Sequence, residues 1–336
     1  MTTVGLVIAS IFTMTQFVYP ADLDSVVTET RTPSSVATQP GTKRALIICG
    51  LPGDAEHHKT FAETIGKLRD GLSKNLGFDL SNIVVMFGDE PKDGDEEFLK
   101  AATRATREEL ENTTKRICEA SGPEDTLWVL VLGHSHYDAN HSWLNLPGPD
   151  LNEFEFAKLF SSLKAREQVF FLTIPTSGFY IKPLSAKERI VIAATEEAWE
   201  TNETEFPHEL ARVLTNPPIT KDFDVDEDGA ITLFDLYVTL ARNIAQSFLD
   251  GEFLATEHPL FDDNGDGRGT DIQIDYLTVE QGGRVKRLKT AKSPPKPNAE
   301  GIFAKSITLP FPFKESPPQE TPKPADEASP NTNSDL

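Results

Sequence analysis

Short apolar segments alternate with segments of helical periodicity between residues 43 and 215, and this alternation restricts the fold more than any other feature of the chain. The apolar runs are nearly continuous, as in strands that are covered on both faces. The segments between them repeat apolar residues every three or four positions, as amphipathic helices do. Predicted strands lie at 44–50, 82–88, 125–132, 167–174 and 188–195, and predicted helices at 54–76, 95–120, 153–164 and 205–214. This order predicts an α/β fold, a mostly parallel sheet with helices on both faces.

Polar and small residues follow two of the predicted strands. His134, in the string GHSHYD, comes directly after strand 125–132, and Pro175-Thr176-Ser177-Gly178 follows strand 167–174. Reacting groups of open α/β sheets lie at the carboxyl ends of the strands. A hydroxyl beside a histidine can act as a nucleophile when a third group orients the imidazole. His134, Ser177 and Thr176 are therefore candidate catalytic residues.

The segment from Asp224 to Asp235 has the residue spacing of an EF-hand-type calcium loop, and we call it loop 1. Gly229 stands at position 6, where the chain turns sharply. The predicted metal ligands are Asp224, Asp226, Asp228, the backbone carbonyl of Ala230, Thr232 and Asp235. Aspartate replaces the usual glutamate at position 12, and its shorter side chain is expected to bind through one oxygen, which weakens calcium affinity or admits magnesium.

A second, partial loop begins at Asp262, and residues 262–273 are called loop 2. Asp262, Asn264 and Asp266 stand at positions 1, 3 and 5, but positions 8 and 12 are Gly269 and Gln273. The alternative is a Gly-Asp turn that binds no ion. The two loops predict Ca²⁺ as a cofactor with a structural role, so that calcium should raise the thermal stability of the protein.

Composition limits the partners and the compartment. The net charge of -21 argues against nucleic acid or an anionic membrane surface as a partner and suits divalent cations. The apolar core of residues 1–21 is too short to span a bilayer and predicts a signal peptide, hence export to the periplasm or the extracellular space. Without that signal the protein would be cytoplasmic.

The chain outside the α/β domain divides into three further regions. Residues 22–42 are predicted to be a linker, residues 216–280 an EF-hand-like extension, and residues 281–336 a Pro-rich disordered tail. The stretch 301–313 is apolar enough to dock on the domain or on a partner. Only two cysteines occur, Cys49 and Cys118, so the chain is no disulfide scaffold.

The strand order, the Gly133-His134 turn after the third strand and the small-residue turn after the fourth resemble the caspase/legumain-type cysteine peptidases. The segment LPGPDL at 146–151, which leads into a helix, resembles the bacterial legumain-like branch, as does the calcium-loop extension. The resemblance covers residues 43–215 and implies a caspase/haemoglobinase-like sheet. It also implies a histidine that assists proton transfer and a cysteine that attacks the peptide carbonyl.

Two positions of this chain depart from that family pattern. His134 matches the family histidine, but Ser135 stands where the family has glycine and Pro175 where it has the nucleophilic cysteine. Proline has neither a nucleophilic side chain nor an N–H. Cys49 and Cys118 lie elsewhere in the topology.

Three hypotheses follow from the sequence. The leading one is a calcium-binding, catalytically degenerate homologue of these peptidases. It would bind a peptide or protein ligand in the cleft that corresponds to the peptidase active site. The first alternative is an active peptidase or hydrolase that uses Ser177 or Thr176 with His134. The second is a calcium-dependent surface or adhesive module, which rests on the acidic loops and the Pro-rich tail.

Overall fold

Apart from Ala198 and Ile219, the computed structural model describes residues 41–284 and, beyond a gap, residues 299–311. The strands are β1 (Lys43–Cys49), β2 (Ile83–Phe87), β3 (Thr103–Arg104), β4 (Thr126–Leu132), β5 (Ser135–Tyr137), β6 (Ser142–Leu144), β7 (Leu151–Asn152), β8 (Glu167–Leu172), β9 (Arg189–Ala193) and β10 (Leu260–Asp262). The α-helices are α1 (Ala55–Leu76), α2 (Glu97–Lys100), α3 (Arg107–Ala120), α4 (Glu153–Leu159), α5 (Ile181–Leu184), α6 (Phe206–Thr215), α7 (Leu233–Asp250) and α8 (Ile302–Lys305).

Within the described residues, seven strands form the central sheet in the order β10-β9-β8-β4-β1-β2-β3. All neighbours pair in parallel except β10, which runs antiparallel to β9. Alternate residues of β1 pack into separate cores, Ala45 and Ile47 on one face and Leu46 and Ile48 on the other, and all four are fully buried. The predicted α/β fold with a mostly parallel sheet between helices is confirmed.

The helices divide between the two faces as their apolar residues do. Helices α1, α6 and α7 pack on one face, and α3, α4 and α5 on the other. Gly71 allows α1 to approach α6 closely, because a Cβ atom there would lie 2.7 Å from the backbone of Leu214. The Asp54 carboxylate caps α1 by accepting from the N–H groups of Glu56 and His57.

Two of the predicted helices are shorter than the periodicity indicated. The segment 95–120 forms two helices, because residues 103 and 104 pair with β2 as strand β3 and interrupt the helical run. The Thr106 hydroxyl then accepts from the Glu109 N–H and starts α3. The helix predicted at 153–164 ends at Leu159.

Residues beyond 215 extend the same core. Phe234 and Tyr237 of α7 and Phe261 of β10 are fully buried and belong to the core cluster that α1 and α6 line. Residues 299–311, called here the C-terminal segment, add Leu309 and Phe311 to that cluster. The C-terminal segment overlaps the apolar stretch 301–313, which was expected to be able to dock, and it packs on the domain.

Several predictions concern residues outside the described part of the chain. The signal peptide at 1–21, residues 22–40 of the linker, and residues 285–298 and 312–336 of the tail lie there. No helix among the described residues has the length and apolar character that a membrane crossing requires.

Candidate functional site

His134 and residues 175–178 lie at neighbouring positions where parallel strands end. We call this side of the sheet, at the carboxyl ends of the strands, the carboxyl edge. Strands β4 and β8 are adjacent and parallel, so the chain leaves them side by side. Gly133 has a φ of 116°, a conformation that favours glycine, and turns the chain into His134. The Ser135 hydroxyl donates a hydrogen bond of 2.7 Å to the carbonyl oxygen of Pro175 and links the two strand ends.

His134 is held by contacts with the start of α1. Its Nε2–H donates to the Pro52 carbonyl oxygen at 2.9 Å. The imidazole lies edge-on to the ring of His57, with centroids 4.9 Å apart, and to Phe61 at 5.6 Å. The His57 ring nitrogens lie 2.8 Å from Asp54 and 3.1 Å from Glu203. The hydrogen bond to Asp54 raises the pKa of His57, so a cationic ring is favoured beside His134.

The two candidate hydroxyls are buried and hydrogen-bonded to other groups. The Ser177 and Thr195 hydroxyls are 3.0 Å apart, and Ser177 Oγ also accepts from the Thr195 N–H at 3.1 Å. The Thr176 hydroxyl pairs with the Ser142 hydroxyl at 2.7 Å. Ser177 is 0% and Thr176 1% exposed. In the part of the chain that the structure describes, neither hydroxyl is hydrogen-bonded to His134.

The turn itself is fixed by its backbone. Thr176 has a φ of 51°, and its N–H donates to the Glu200 carbonyl oxygen at 2.9 Å. A Cβ atom on Gly178 would lie 2.8 Å from backbone atoms of Glu196 and Glu197. Pro175 is buried and offers no nucleophile. Cys49 is fully buried, and burial raises the pKa of its thiol well above its ordinary value, so it offers no thiolate either.

A buried acidic group lies behind this turn and was not anticipated from the sequence. The Glu257 carboxylate accepts from the N–H groups of Glu205 and Phe206 at the start of α6. Burial raises the pKa of Glu257 to about 8. Glu200 pairs with His258 and also accepts from the Glu196 N–H at 2.7 Å. Spacing in the sequence gave no indication of this group, because Glu257 and His258 lie more than fifty positions from the residues between 200 and 206 that they contact.

Loop 1 brings three of its predicted ligands together. Carboxylate oxygens of Asp224, Asp226 and Asp235 all lie within 4.8 Å of one another. Asp224 accepts from the N–H groups of Asp228 and Gly229, and Asp235 from those of Val225 and Thr232. The loop backbone therefore aims these carboxylates inward. Burial raises the pKa of Asp235, which reflects the cost of an ionised carboxylate there without a cation.

The other predicted ligands of loop 1 occupy different positions. The Asp228 side chain is on an exposed residue and accepts from the Ala230 N–H at 2.9 Å. The Thr232 hydroxyl donates to Asp235 at 2.6 Å and caps α7. Asp228 does not join the carboxylate cluster, and the Thr232 hydroxyl is engaged in the cap.

The residues of loop 1 fit a cation. Asp226 Oδ1 is buried and has no hydrogen-bond partner among the described residues, so one acceptor of a clustered carboxylate is left uncompensated. Its other oxygen lies 2.8 Å from the ammonium of Lys305 in α8, a positive group at the place where carboxylates converge. Oxygen donors of this kind suit Ca²⁺ and Mg²⁺.

Loop 2 forms a second acidic cluster, but its third carboxylate comes from outside the loop. Oxygens of Asp262, Asp266 and Glu300 lie within 4.8 Å of one another. Asn264 donates its amide to Glu300 at 2.7 Å, so its side chain holds the new member of the cluster. Gln273, at position 12, instead accepts from the buried Tyr237 hydroxyl. Glu300 could not be found from loop spacing, although the apolar run after it indicated that this part of the tail docks.

Comparisons with known proteins found no matching family model and no matching curated protein. Among solved structures, the chain is similar to protein GSU0716 from Geobacter sulfurreducens, with a TM-score of 0.41 and 13% identity over 66% of this chain and 92% of that one. It is also similar to the Drosophila initiator caspase Dronc, with a TM-score of 0.40 and 11% identity over 79% of this chain and 99% of that one. At these values neither structure assigns a role to any residue of this chain.

Proposed function

We propose that this chain is a calcium-binding, catalytically inactive relative of the caspase/legumain-type peptidases that binds a peptide at the carboxyl edge. The observation that carries the proposal is the convergence of Asp224, Asp226 and Asp235, with one buried oxygen of Asp226 left without a hydrogen-bond partner in the described part of the chain. Three ionised carboxylates converge there, and one divalent cation would offset two of their three negative charges. Calcium takes six to eight oxygen ligands, and loop carbonyls and water would supply those that the carboxylates do not.

Inactivity is supported by the chemistry of the turn after β8. Nucleophilic catalysis needs a nucleophile and a base within hydrogen-bonding reach of each other. Pro175 has no such group, and the hydroxyls of Ser177 and Thr176 are engaged with Thr195 and Ser142. The Nε2–H of His134 is engaged with Pro52. These contacts favour binding without cleavage over the alternative of a serine or threonine hydrolase.

Peptide binding at this edge is supported by the small sheet that follows His134. Within the described residues its order is β5-β6-β7, so β5 is an edge strand, and the backbone on its open side can pair with an extended peptide. The rings of His136 and Trp143 stack at 6.3 Å beside it and offer an apolar surface to side chains.

Two assays test the parts of this proposal separately. Calcium is titrated calorimetrically into chelator-treated full-length protein that carries Asp266→Asn to weaken loop 2, and heat of binding that a further Asp224→Asn removes is the expected result. A mixed peptide library is then incubated with the protein, with and without calcium, beside His134→Ala. We expect no cleavage under any condition. Cleavage that His134→Ala abolishes would overturn the inactive assignment, and Ser177→Ala and Thr176→Val would identify the nucleophile.

A further inference from the structure

The C-terminal segment is fastened to loop 1 by backbone hydrogen bonds. The Leu309 N–H donates to the Ile231 carbonyl oxygen at 2.8 Å, and the Leu233 N–H donates to that of Ile307 at 2.9 Å. Ile231 is position 8 of loop 1, so the segment pairs with the middle of the metal-binding loop itself. Any movement of the segment would therefore also displace the backbone of loop 1 at Ile231.

The same segment fixes the position of Lys305. The Asp263 carboxylate caps α8 by accepting from the N–H groups of Gly301 and Ala304, at 2.8 and 2.9 Å. Ala304 is fully buried, which anchors the helix one residue before the lysine. The Lys305 ammonium lies 2.8 Å from Asp226 Oδ2 and 4.5 Å from the centroid of the Phe234 ring. It is held by an ion pair and a cation–π contact rather than extended freely into solvent.

An ammonium and a metal ion compete for the same carboxylate. A divalent cation coordinated by Asp226 would lie within a few ångströms of the ammonium, where two positive charges repel strongly. The lysine side chain is 35% exposed, so a path to solvent is open to it. Departure of the ammonium would cost the segment its contacts with both Asp226 and Phe234.

We infer that Lys305 is a built-in competitor of the metal ion at loop 1: a divalent cation that takes Asp226 as a ligand displaces the ammonium and loosens the C-terminal segment. The inference rests on the proposed cation binding and adds its regulation. Because coupling between two equilibria is reciprocal, whatever holds the segment in place weakens metal binding by the same factor.

The test compares calcium affinities in full-length protein carrying Asp266→Asn, which weakens loop 2 and leaves loop 1 to be measured. Lys305→Met retains the stem over Phe234 and removes the charge. Lys115→Met, at an exposed position on α3, removes one charge elsewhere. We expect about tenfold tighter calcium binding for Lys305→Met, within the usual range of coupling between sites, and unchanged affinity for Lys115→Met. Lys305→Arg keeps the charge and should bind calcium about as weakly as the parent.

A second measurement follows the segment. Hydrogen exchange of the Leu309 amide, which bonds to Ile231, should become faster when calcium is added to the parent protein and should change less in Lys305→Met. Equal calcium affinity in the parent and in Lys305→Met would overturn the competition while leaving the proposed metal site intact. A Leu309 amide whose exchange calcium does not change would overturn the loosening of the segment. Absence of binding in every variant would remove the proposed metal site, and the inference with it.

Discussion

The Ser135 hydroxyl donates to the carbonyl oxygen of Pro175 at 2.7 Å and ties the end of β4 to the end of β8. These are the two positions at which the chain departs from the peptidase pattern that its sequence resembles. The glycine of that pattern has no hydroxyl and could not make this bond. In this chain the pair serves as a structural clamp between the two strand ends at the carboxyl edge.

Removal of the clamp should destabilise the protein modestly. Ser135→Ala leaves the buried Pro175 carbonyl without its donor, and we expect the free energy of unfolding to fall by about 1 kcal/mol. Urea unfolding measures the difference. Ser73→Ala, at a partly exposed position on α1, is the matched control and should lose no stability. Identical unfolding curves for Ser135→Ala and the parent would show that the bond contributes nothing.

Calcium should raise the melting temperature of the protein, and a chelator should lower it. A ligand that binds only the folded state at a hundred times its Kd adds about 2.7 kcal/mol to the free energy of unfolding. In protein that also carries Asp266→Asn to weaken loop 2, Asp224→Asn should abolish the calcium-dependent part of the melting temperature. Glu227→Gln removes one charge from an exposed position of the same loop outside the carboxylate cluster and should preserve it. A melting temperature that a chelator leaves unchanged would contradict a structural role for calcium.

Continuous apolar runs predicted the central strands because both faces of a parallel sheet are buried. The runs around Ile47, Val129 and Phe170 all became inner strands. Strand β10 was not predicted, since three residues carry no periodicity and its pairing with β9 depends on tertiary contacts. Strand β3 was not predicted either, because its two residues lie within a segment of helical periodicity and pair with β2 only in the folded chain. Short elements are determined by their neighbours rather than by their own sequence.

The candidate sites divide in the same way. Asp224, Asp226 and Asp235 belong to one short loop, so their spacing predicted that they converge. Glu300 reaches Asp262 from a segment that follows a gap in the described chain, and no local pattern encodes that approach. Nor does spacing reveal that the Ser177 hydroxyl bonds to Thr195 of the next strand's end. Contacts between distant segments can be identified only when the fold is known.

The buried carboxyl of Glu257 should make stability fall as the pH rises toward 8, and Glu300, whose pKa burial also raises to about 8, acts in the same direction. Burial raises the pKa of Glu257 from an ordinary 4.5 to about 8, so between these values the folded state holds a proton that the unfolded state releases. The stabilisation is complete below pH 4.5 and is lost as the pH approaches 8, with a slope of at most about 1.4 kcal/mol per pH unit. Glu257→Gln should flatten the dependence of the unfolding free energy on pH in this window. Glu280→Gln, at an exposed position, should not, and an equally steep profile for Glu257→Gln would contradict the assignment.

His58 should be among the residues whose loss costs the most stability. Its ring is almost fully buried, with Nδ1 2.8 Å from Asp89 and Nε2 3.2 Å from Asp95, and it fastens α1 to the loop after β2. His58→Ala removes a buried ring and leaves both carboxylates without this partner, and we expect a loss of about 3 kcal/mol in the free energy of unfolding. His136→Ala removes an exposed ring that is bonded to Asn145 at 2.7 Å and should cost well under half as much.

The Lys92 amide donates to Asp95, so its hydrogen exchange should accelerate in His58→Ala alone. Equal losses for the two variants, with the Lys92 amide unchanged, would mean that the two carboxylates find other partners and that His58 does not hold this loop.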